Sequence, residues 1–411
     1  MFEPSEEILR ELKISRETYL ENDFFLARLS GLCRWNRLFS LFYFLSMTYA
    51  VASAVGFVLA AFSEKDRDQV LENIHFVPLI FNMASQAASY HYTQKEYLQL
   101  FRAVDSGFFN YDGDLDIATE LEITEVKSVA KNRKKKFGHF YSMLMLVAGL
   151  GQILKKPLLY VLRGGGTKPV DGENNLVWEA PYGMYVPYAD HWISYLTGMF
   201  LGYSACTFVS ITAVGSVLSY QYMSEELLAE FKVVEITFSK CLRRAQTMYE
   251  NRKNVLKANG KTSQITMKDC IIHCMNLSVK HHQHTLRMMN VFKDLMFFPL
   301  FMVIFDGALV LCISAYLTIS DDVSLNLRIT MPSVITAEAT LAFIFCYYGE
   351  KLTEATEDVG DSIYNSDGWV QHSDIIRPYA LIVKSFCNIP NELSAAGFSS
   401  VNHNTFGNVR T

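Results

Sequence analysis

Six long apolar stretches limit what this chain can fold into more than any other feature. Leu38 to Phe62 carries no Asp, Glu, Lys or Arg over about 25 residues, and at about 1.5 Å per helical residue it exceeds a hydrocarbon core of about 30 Å. Ile74 to Ala88 is shorter, but with its flanks, Glu72 to Tyr92, it still reaches across. Phe137–Leu154, His191–Leu218, Leu295–Leu317 and Ile329–Tyr348 complete the set. Inside a bilayer the backbone N–H and C=O groups must be satisfied without water, so stretches of this kind are predicted as helices. The expected fold is an all-α polytopic membrane protein with six clear transmembrane helices. Composition agrees: 50% of the 411 residues are hydrophobic and 13% aromatic, while a mean hydropathy of only +0.12 leaves room for sizeable polar loops.

Charge distribution orients the helices. The formal net charge of −5 gives no global basic field for nucleic acid. Between successive stretches, Lys and Arg number two (63–73), eight (91–136), four (155–190), twelve (223–294) and one (318–328). The excess falls on every second loop, which places the second and fourth loops, and the N-terminus, in the cytosol. This is the reverse of a G-protein-coupled receptor. Residues 1–37 hold six basic and seven acidic residues in a helical rhythm, with Leu20, Phe24, Phe25, Leu26 and Leu29 as an apolar face. They read as a cytosolic surface helix, and no cleavable signal peptide is expected ahead of the first span. Lys131, Arg133, Lys134, Lys135 and Lys136 stand at the mouth of the third span, where a basic run reads as a cytosolic anchor against anionic lipid. In 223–294, apolar positions recur every three or four residues at Glu225–Asn251 and Thr266–Lys293, broken by Asn259-Gly260. The membrane helices are therefore predicted to continue into the cytosol as amphipathic helices.

Groups suited to chemistry are sparse. Cys270, His273, Cys274, His281, His282 and His284 lie on one predicted helix, but they spread over four turns instead of converging as zinc ligands do. Neither a metal nor a cofactor is expected. The eight cysteines are scattered, which does not read as a disulfide framework. Gly164-Gly165-Gly166 lacks the Gly-Lys-Ser/Thr ending of a phosphate loop and reads as a flexible turn. The sequon Asn276-Leu277-Ser278 falls on the cytosolic side and should go unused. No nucleophile with a base, zincin motif or kinase loop is present, so no enzyme is expected. Two acids inside apolar helices, Asp306 and Glu338, need explanation, because a charge at mid-bilayer costs about 2.5 kcal/mol or more. Hydrogen bonding between packed helices and a polar ion vestibule are the two readings.

The C-terminal residues carry the most specific pattern. Cys346 is followed by Gly349, a charged helix, Tyr364 and Asn365, Trp369, the small-residue turn Ala395 to Gly397, and Thr405-Phe406. This order resembles the C-terminal signature of the insect odorant receptors. The resemblance covers the chain loosely and 329–406 closely. It implies the same inverted topology and the cytosolic half of a seventh helix, here Ser373–Phe386, whose Pro378 suits a start near Arg377. The organisation is then a cytosolic segment 1–37; spans one to four in 38–222 with the outer loop 155–190; a cytosolic anchor extension 223–294; spans five and six in 295–348; anchor helices in 349–390; and a turn leading into the start of the last helix, 391–411. After Phe406 five polar or small residues stand where the family has its pore-lining helix, so the chain as written is expected not to conduct by the family's route. A truncated binding or assembly subunit, a gustatory-type receptor of the same superfamily and a transporter are the rival readings.

The resemblance further implies a ligand-tuning subunit, since the long cytosolic loop of the co-receptor is absent. Its partners would be a small volatile odorant, the odorant receptor co-receptor in a heteromer, expected to be a tetramer, and the lipid bilayer. Its place would be the plasma membrane of olfactory sensory neuron dendrites. Segment 178–192, rich in Pro and aromatics, resembles the lead into the family's fourth helix and would lie as a lid over the site. The family's pocket lies in the outer halves of the second, third, fourth and sixth helices. Here those halves hold Val77, Ile80 and Phe81; Leu146, Gly149 and Ile153; Tyr195 and Met199; and Thr330, Met331 and Val334. Binding there would rest on apolar burial at about 25 cal/mol per Å². Plain helix packing explains the same spacing equally well.

Overall fold

The computed structural model describes residues 37–61, 74, 76–111, 113–162, 192–258, 266–320, 325–366 and 368–408. They form ten helices and one small hairpin. In order these are α1 (Arg37–Ala61), α2 (Phe76–Tyr92), α3 (Gln94–Asp105), α4 (Ile117–Leu162), α5 (Trp192–Ser239), α6 (Cys241–Ala258), α7 (Met267–Ile319), α8 (Leu325–Ser362), α9 (Ser373–Cys387), β1 (Ser394–Ala395), β2 (Ser399–Ser400) and α10 (His403–Asn408). Each of the six apolar stretches coincides with one of these helices. By length and hydropathy alone, Leu196–Ser239, Met267–Ile319 and Met331–Ser362 are long and apolar enough to cross a membrane, and Leu41–Gly56 forms a shorter apolar helix.

Length separates two regions. Helix α5 has 48 residues and α7 has 53, or roughly 70 and 80 Å at 1.5 Å per residue, more than twice a hydrocarbon core. The surplus makes a second layer below the membrane-level bundle. Helix α7 starts at a capping box in which the Thr266 hydroxyl accepts from the Asp269 N–H and the Asp269 carboxylate accepts from Thr266 N–H. It packs against α2, α3, α5, α6, α8, α9 and β1, and so is the axis of the fold.

Most of the buried apolar side chains belong to the lower layer. Tyr220, Phe231 and Phe238 of α5, Met289 and Phe292 of α7, Leu352 and Val359 of α8 and Ile376 of α9 belong to one continuous core. A smaller core at membrane level joins Tyr43, Met47 and Ala50 of α1, Ile80, Met83 and Ala87 of α2, and Met199, Ala205, Phe208 and Val209 of α5. A third brings Leu317 of α7 against Met331 of α8.

The C-terminal motif residues each have a steric or hydrogen-bonding reason. A Cβ on Gly349 would collide with the Val401 carbonyl oxygen, so only glycine lets the chain after the hairpin lie against α8. Cys346 is buried one turn earlier. Tyr364 meets Trp369 edge-on, with ring centres 5.4 Å apart. The hairpin turn holds positive φ at Ala396 and Gly397 (50° and 77°), a conformation that glycine takes freely and alanine only under strain. The Thr405 N–H donates to Asn402 Oδ1 at 3.0 Å, capping α10.

Helix α9 corrects one expectation. It begins at Ser373, not near Arg377, so Pro378 sits in its interior. The Ile375 and Ile376 N–H groups both donate to the His372 carbonyl at 3.0 Å, which closes the first turn ahead of the proline. Pro378 lies on the exposed side, where water can take the hydrogen bond that its missing N–H leaves unmade.

Candidate functional site

The residues expected to line a ligand pocket divide by position. Ile80 and Met199 are buried in the membrane-level core, and Val77 packs against it. Met331 is buried beside Leu317, with Val334 against both. Phe81 and Leu146 face outward, 40% and 55% exposed. The side chains of Gly149, Ile153, Tyr195 and Thr330 lie outside the described residues, as does the expected lid up to His191.

Three residues that spacing does not single out join the first group. The Tyr43 and Phe208 rings meet edge-on at 5.1 Å, and the Tyr43 hydroxyl is 2.8 Å from Thr212 Oγ1. The result is a mostly apolar cluster with one buried hydroxyl pair. That combination suits a small apolar molecule with at most one hydrogen-bonding group. The available sequence signal was a tyrosine inside an otherwise uncharged span, whose hydroxyl has to find a partner when buried.

Beside this cluster lies a polar level. Asp306 is buried, and its Oδ2 accepts from Asn82 Nδ2 at 3.0 Å. Gln86 Nε2 in turn donates to Asn82 Oδ1 at 2.7 Å. The carboxyl of Glu338 lies against Gly307, whose added Cβ would be 3.8 Å from Glu338 Oε2. A cavity of about 30 Å³ there is lined by Val303, Gly307, Glu338, Cys346 and Thr405. It has room for water but not for an organic ligand. Asp306 thus hydrogen-bonds across the α2–α7 contact, and Glu338 borders a small, mostly apolar gap.

The lower layer holds a second, polar constellation. His281 Nε2 is 3.1 Å from Glu230 Oε2, and Nδ1 is 2.8 Å from the Tyr111 hydroxyl. Lys127 bonds the other Glu230 oxygen at 2.8 Å. Phe109 stacks on the His281 ring with centres 5.0 Å apart. Arg244, fully buried, sits 4.8 Å above the Tyr111 ring and donates to the Thr237 carbonyl and to Ser278 Oγ, both at 3.1 Å. A cavity of about 280 Å³ opens beside Tyr111, Lys127, Glu230 and His281.

The other groups of the Cys/His helix are engaged separately. His273 bonds Asp114 at 2.8 Å, and His282 lies 3.9 Å from Cys387 Sγ. Burial, aided by the neighbouring His281, pushes the His282 imidazole down to about 4. It also pushes the Cys274 thiol up to about 11 and Cys241 up to about 12, which keeps both neutral. Among the described residues no three of His, Cys, Asp or Glu come together as a metal site would require. The sequon residues are taken as well: Asn276 Oδ1 accepts from the Tyr379 hydroxyl at 2.9 Å, and Ser278 is buried under Arg244.

The long helices, the inward apolar cluster and the spaced C-terminal landmarks set this chain beside known proteins. Its fold is similar to that of the insect olfactory receptor OR5 from Machilis hrabei, with TM-score 0.68, 15% identity, and coverage of 98% of this chain and 93% of the other. The structure of that receptor in complex with eugenol matches at TM-score 0.69 and 15% identity, covering 98% of this chain and 95% of the other. No curated protein matches by sequence. The model of the 7tm odorant receptor family matches residues 114–410, which takes in α4 to α9, Asp306 and Glu338, and every C-terminal landmark. With a match over more than half its length, this chain belongs to the 7tm odorant receptor family.

Proposed function

We propose that this receptor binds small volatile apolar ligands between α1, α2 and α5 and, together with the odorant receptor co-receptor, forms a ligand-gated nonselective cation channel. In this reading α1, α2, α4, α5, α7 and α8 cross the plasma membrane with the N-terminus in the cytosol, and the lower layer holds subunits together as a heteromer. Its setting is the dendrite of an olfactory sensory neuron.

The observation that carries the ligand site is that Val77, Ile80 and Met199 belong to one apolar cluster of α1, α2 and α5, which supplies apolar area from three helices, with the Tyr43–Phe208 pair and its buried hydroxyl farther along the same cluster. Met331 and Val334 form a second, separate apolar cluster against α7. That Machilis hrabei OR5 was solved with eugenol, a small aromatic phenol, is consistent with a site of this chemistry. Gating follows if ligand burial favours one arrangement of these helices over another, since a ligand shifts a conformational equilibrium only by its differential affinity. Glu338, beside the gap next to α10, is assigned to the ion path.

The test is to co-express the chain with the co-receptor and record currents over an odorant panel. Met199→Phe and Val334→Phe should alter the order of odorant potencies, and Glu338→Gln should shift the reversal potential under asymmetric cations. Unaltered tuning would remove the ligand site, and an unaltered reversal potential would remove Glu338 from the ion path.

A further inference from the structure

The basic run of α4 is not one patch. Arg133 is exposed but has a carboxylate in reach, its Nε 3.7 Å from Glu225 Oε2 of α5. Lys134 is buried, ion-paired with Glu226, and lies 3.9 Å from the centre of the Tyr222 ring, so it is spent on packing α4 against α5. Lys131, Lys135 and Lys136 are exposed and have no carboxylate partner among the described residues. Lys131 and Lys135 are neighbours at i,i+4 and Lys136 stands about 100° farther round the helix, so the three form a cationic band within little more than one turn.

The next turns beyond Lys136, on its side of the helix, are apolar. Phe140, Met143, Leu144 and Val147 are 69%, 60%, 52% and 66% exposed, and Lys136, Phe140, Leu144 and Val147 follow each other at helical spacing. The α4 surface thus presents three unpaired cations and then, for at least 10 Å at about 1.5 Å per residue, a strip suited to acyl chains. A soluble anion would use only the first part. A zwitterionic lipid would leave the lysines facing one another unneutralised.

We propose that this surface is a binding site for a phosphoinositide, a lipid whose headgroup carries phosphomonoesters. Its phosphates lie among Lys131, Lys135 and Lys136, and its acyl chains lie along Phe140 to Val147. A phosphomonoester carries close to two negative charges near neutral pH, so one such headgroup neutralises all three lysines, whereas phosphatidylserine brings one net charge. The inference rests on the proposed orientation only for the leaflet that supplies the lipid.

The experiment uses the full chain purified in detergent and titrated with dioctanoyl phosphatidylinositol 4,5-bisphosphate by microscale thermophoresis. The variant Lys131→Gln/Lys135→Gln/Lys136→Gln should bind at least about tenfold more weakly, while Lys253→Gln/Lys268→Gln, two exposed lysines elsewhere, should bind as the wild type does. Phe140→Ser/Leu144→Ser should weaken binding of the lipid but not of free inositol trisphosphate. Gel filtration confirms that each variant remains monodisperse. Wild-type affinity in the triple variant overturns the proposal. Equal affinity for dioctanoyl phosphatidylserine reduces the surface to a general anionic contact and overturns the headgroup assignment. Equal affinity for free inositol trisphosphate overturns the lipid assignment. An N-terminal epitope reached by antibody outside intact cells would instead refute the orientation, leaving the detergent result as it stands.

Discussion

The two ends of the bundle solve opposite problems with the same long helices. In the lower layer α5, α6, α7, α8 and α9 enclose a continuous core, and its buried polar groups are knitted across elements far apart in sequence. At membrane level only 50%, 39% and 22% of the three clearest apolar windows is buried, and large side chains such as Phe81, Leu146 and Phe305 face outward. The lower layer resembles a soluble protein interior, where burying a charge is tolerable only with partners. At membrane level the lipid accepts apolar surface without penalty, so large apolar side chains can face outward and burial is confined to smaller clusters between helices. A fixed base and a permissive upper half are what a receptor needs if ligand binding is to shift helices against a stationary reference.

The comparison is broken most sharply by removing a charge from the base. Glu230→Ala leaves the buried His281 and the partly exposed Lys127 without their carboxylate, and a loss of about 3 kcal/mol is expected from the buried hydrogen-bonding group left without its partner. Thermal unfolding in detergent measures it; a loss under about 1 kcal/mol would mean that the lower layer is no tighter than the upper. Next comes Gly349→Ala. Its Cβ meets backbone at Val401, not a flexible side chain, so a cost of about 3 kcal/mol is expected, at the upper end of overpacking, with loss of surface expression as a second readout.

A pH experiment sharpens the contrast further. Because burial holds the His282 imidazole down at about 4, below the ordinary value near 6.5, the unfolded chain binds the extra proton first. The neutral buried form contributes its full stability above about pH 6.5 and loses it progressively as pH falls toward about 4, by about 3 kcal/mol in all. His282→Leu should flatten that part of the melting profile; an unchanged slope would assign the acid sensitivity to other groups. The smallest effect belongs to the upper half. Tyr43→Phe removes the hydroxyl facing Thr212, for a stability change of about 1 kcal/mol or less, yet it should lower sensitivity to odorants bearing a hydroxyl or carbonyl more than to hydrocarbons. Dose-response curves for matched pairs would show this.

Much of the fold was legible because membrane helices announce themselves by length. The apolar stretches, the continuation of the fourth and fifth into the lower layer, and the amphipathic α9 were all visible in spacing and charge. The helix penalty of proline alone puts the start of α9 too late, because Pro378 faces outward, where the lost hydrogen bond costs least. The His281 network was not legible. Tyr111, Glu230 and His281 are separated by up to 170 residues, and on the sequence His281 reads only as part of a Cys/His row. The ligand residues were only half legible for a different reason. In a membrane helix both faces are apolar, so spacing cannot distinguish the inward Ile80 from the outward Phe81 beside it.

One measurement tests the central claim directly: currents from Met199→Phe and wild type, each with the co-receptor, across one odorant panel at matched surface expression. Met199 is 7% exposed within the α1–α2–α5 cluster, so a larger ring there takes volume from any ligand. The expected result is a changed order of potencies, with the largest odorants losing most and the maximal current to the smallest retained. An unchanged order and unchanged potencies would contradict the account, and the ligand would then have to bind elsewhere in the receptor.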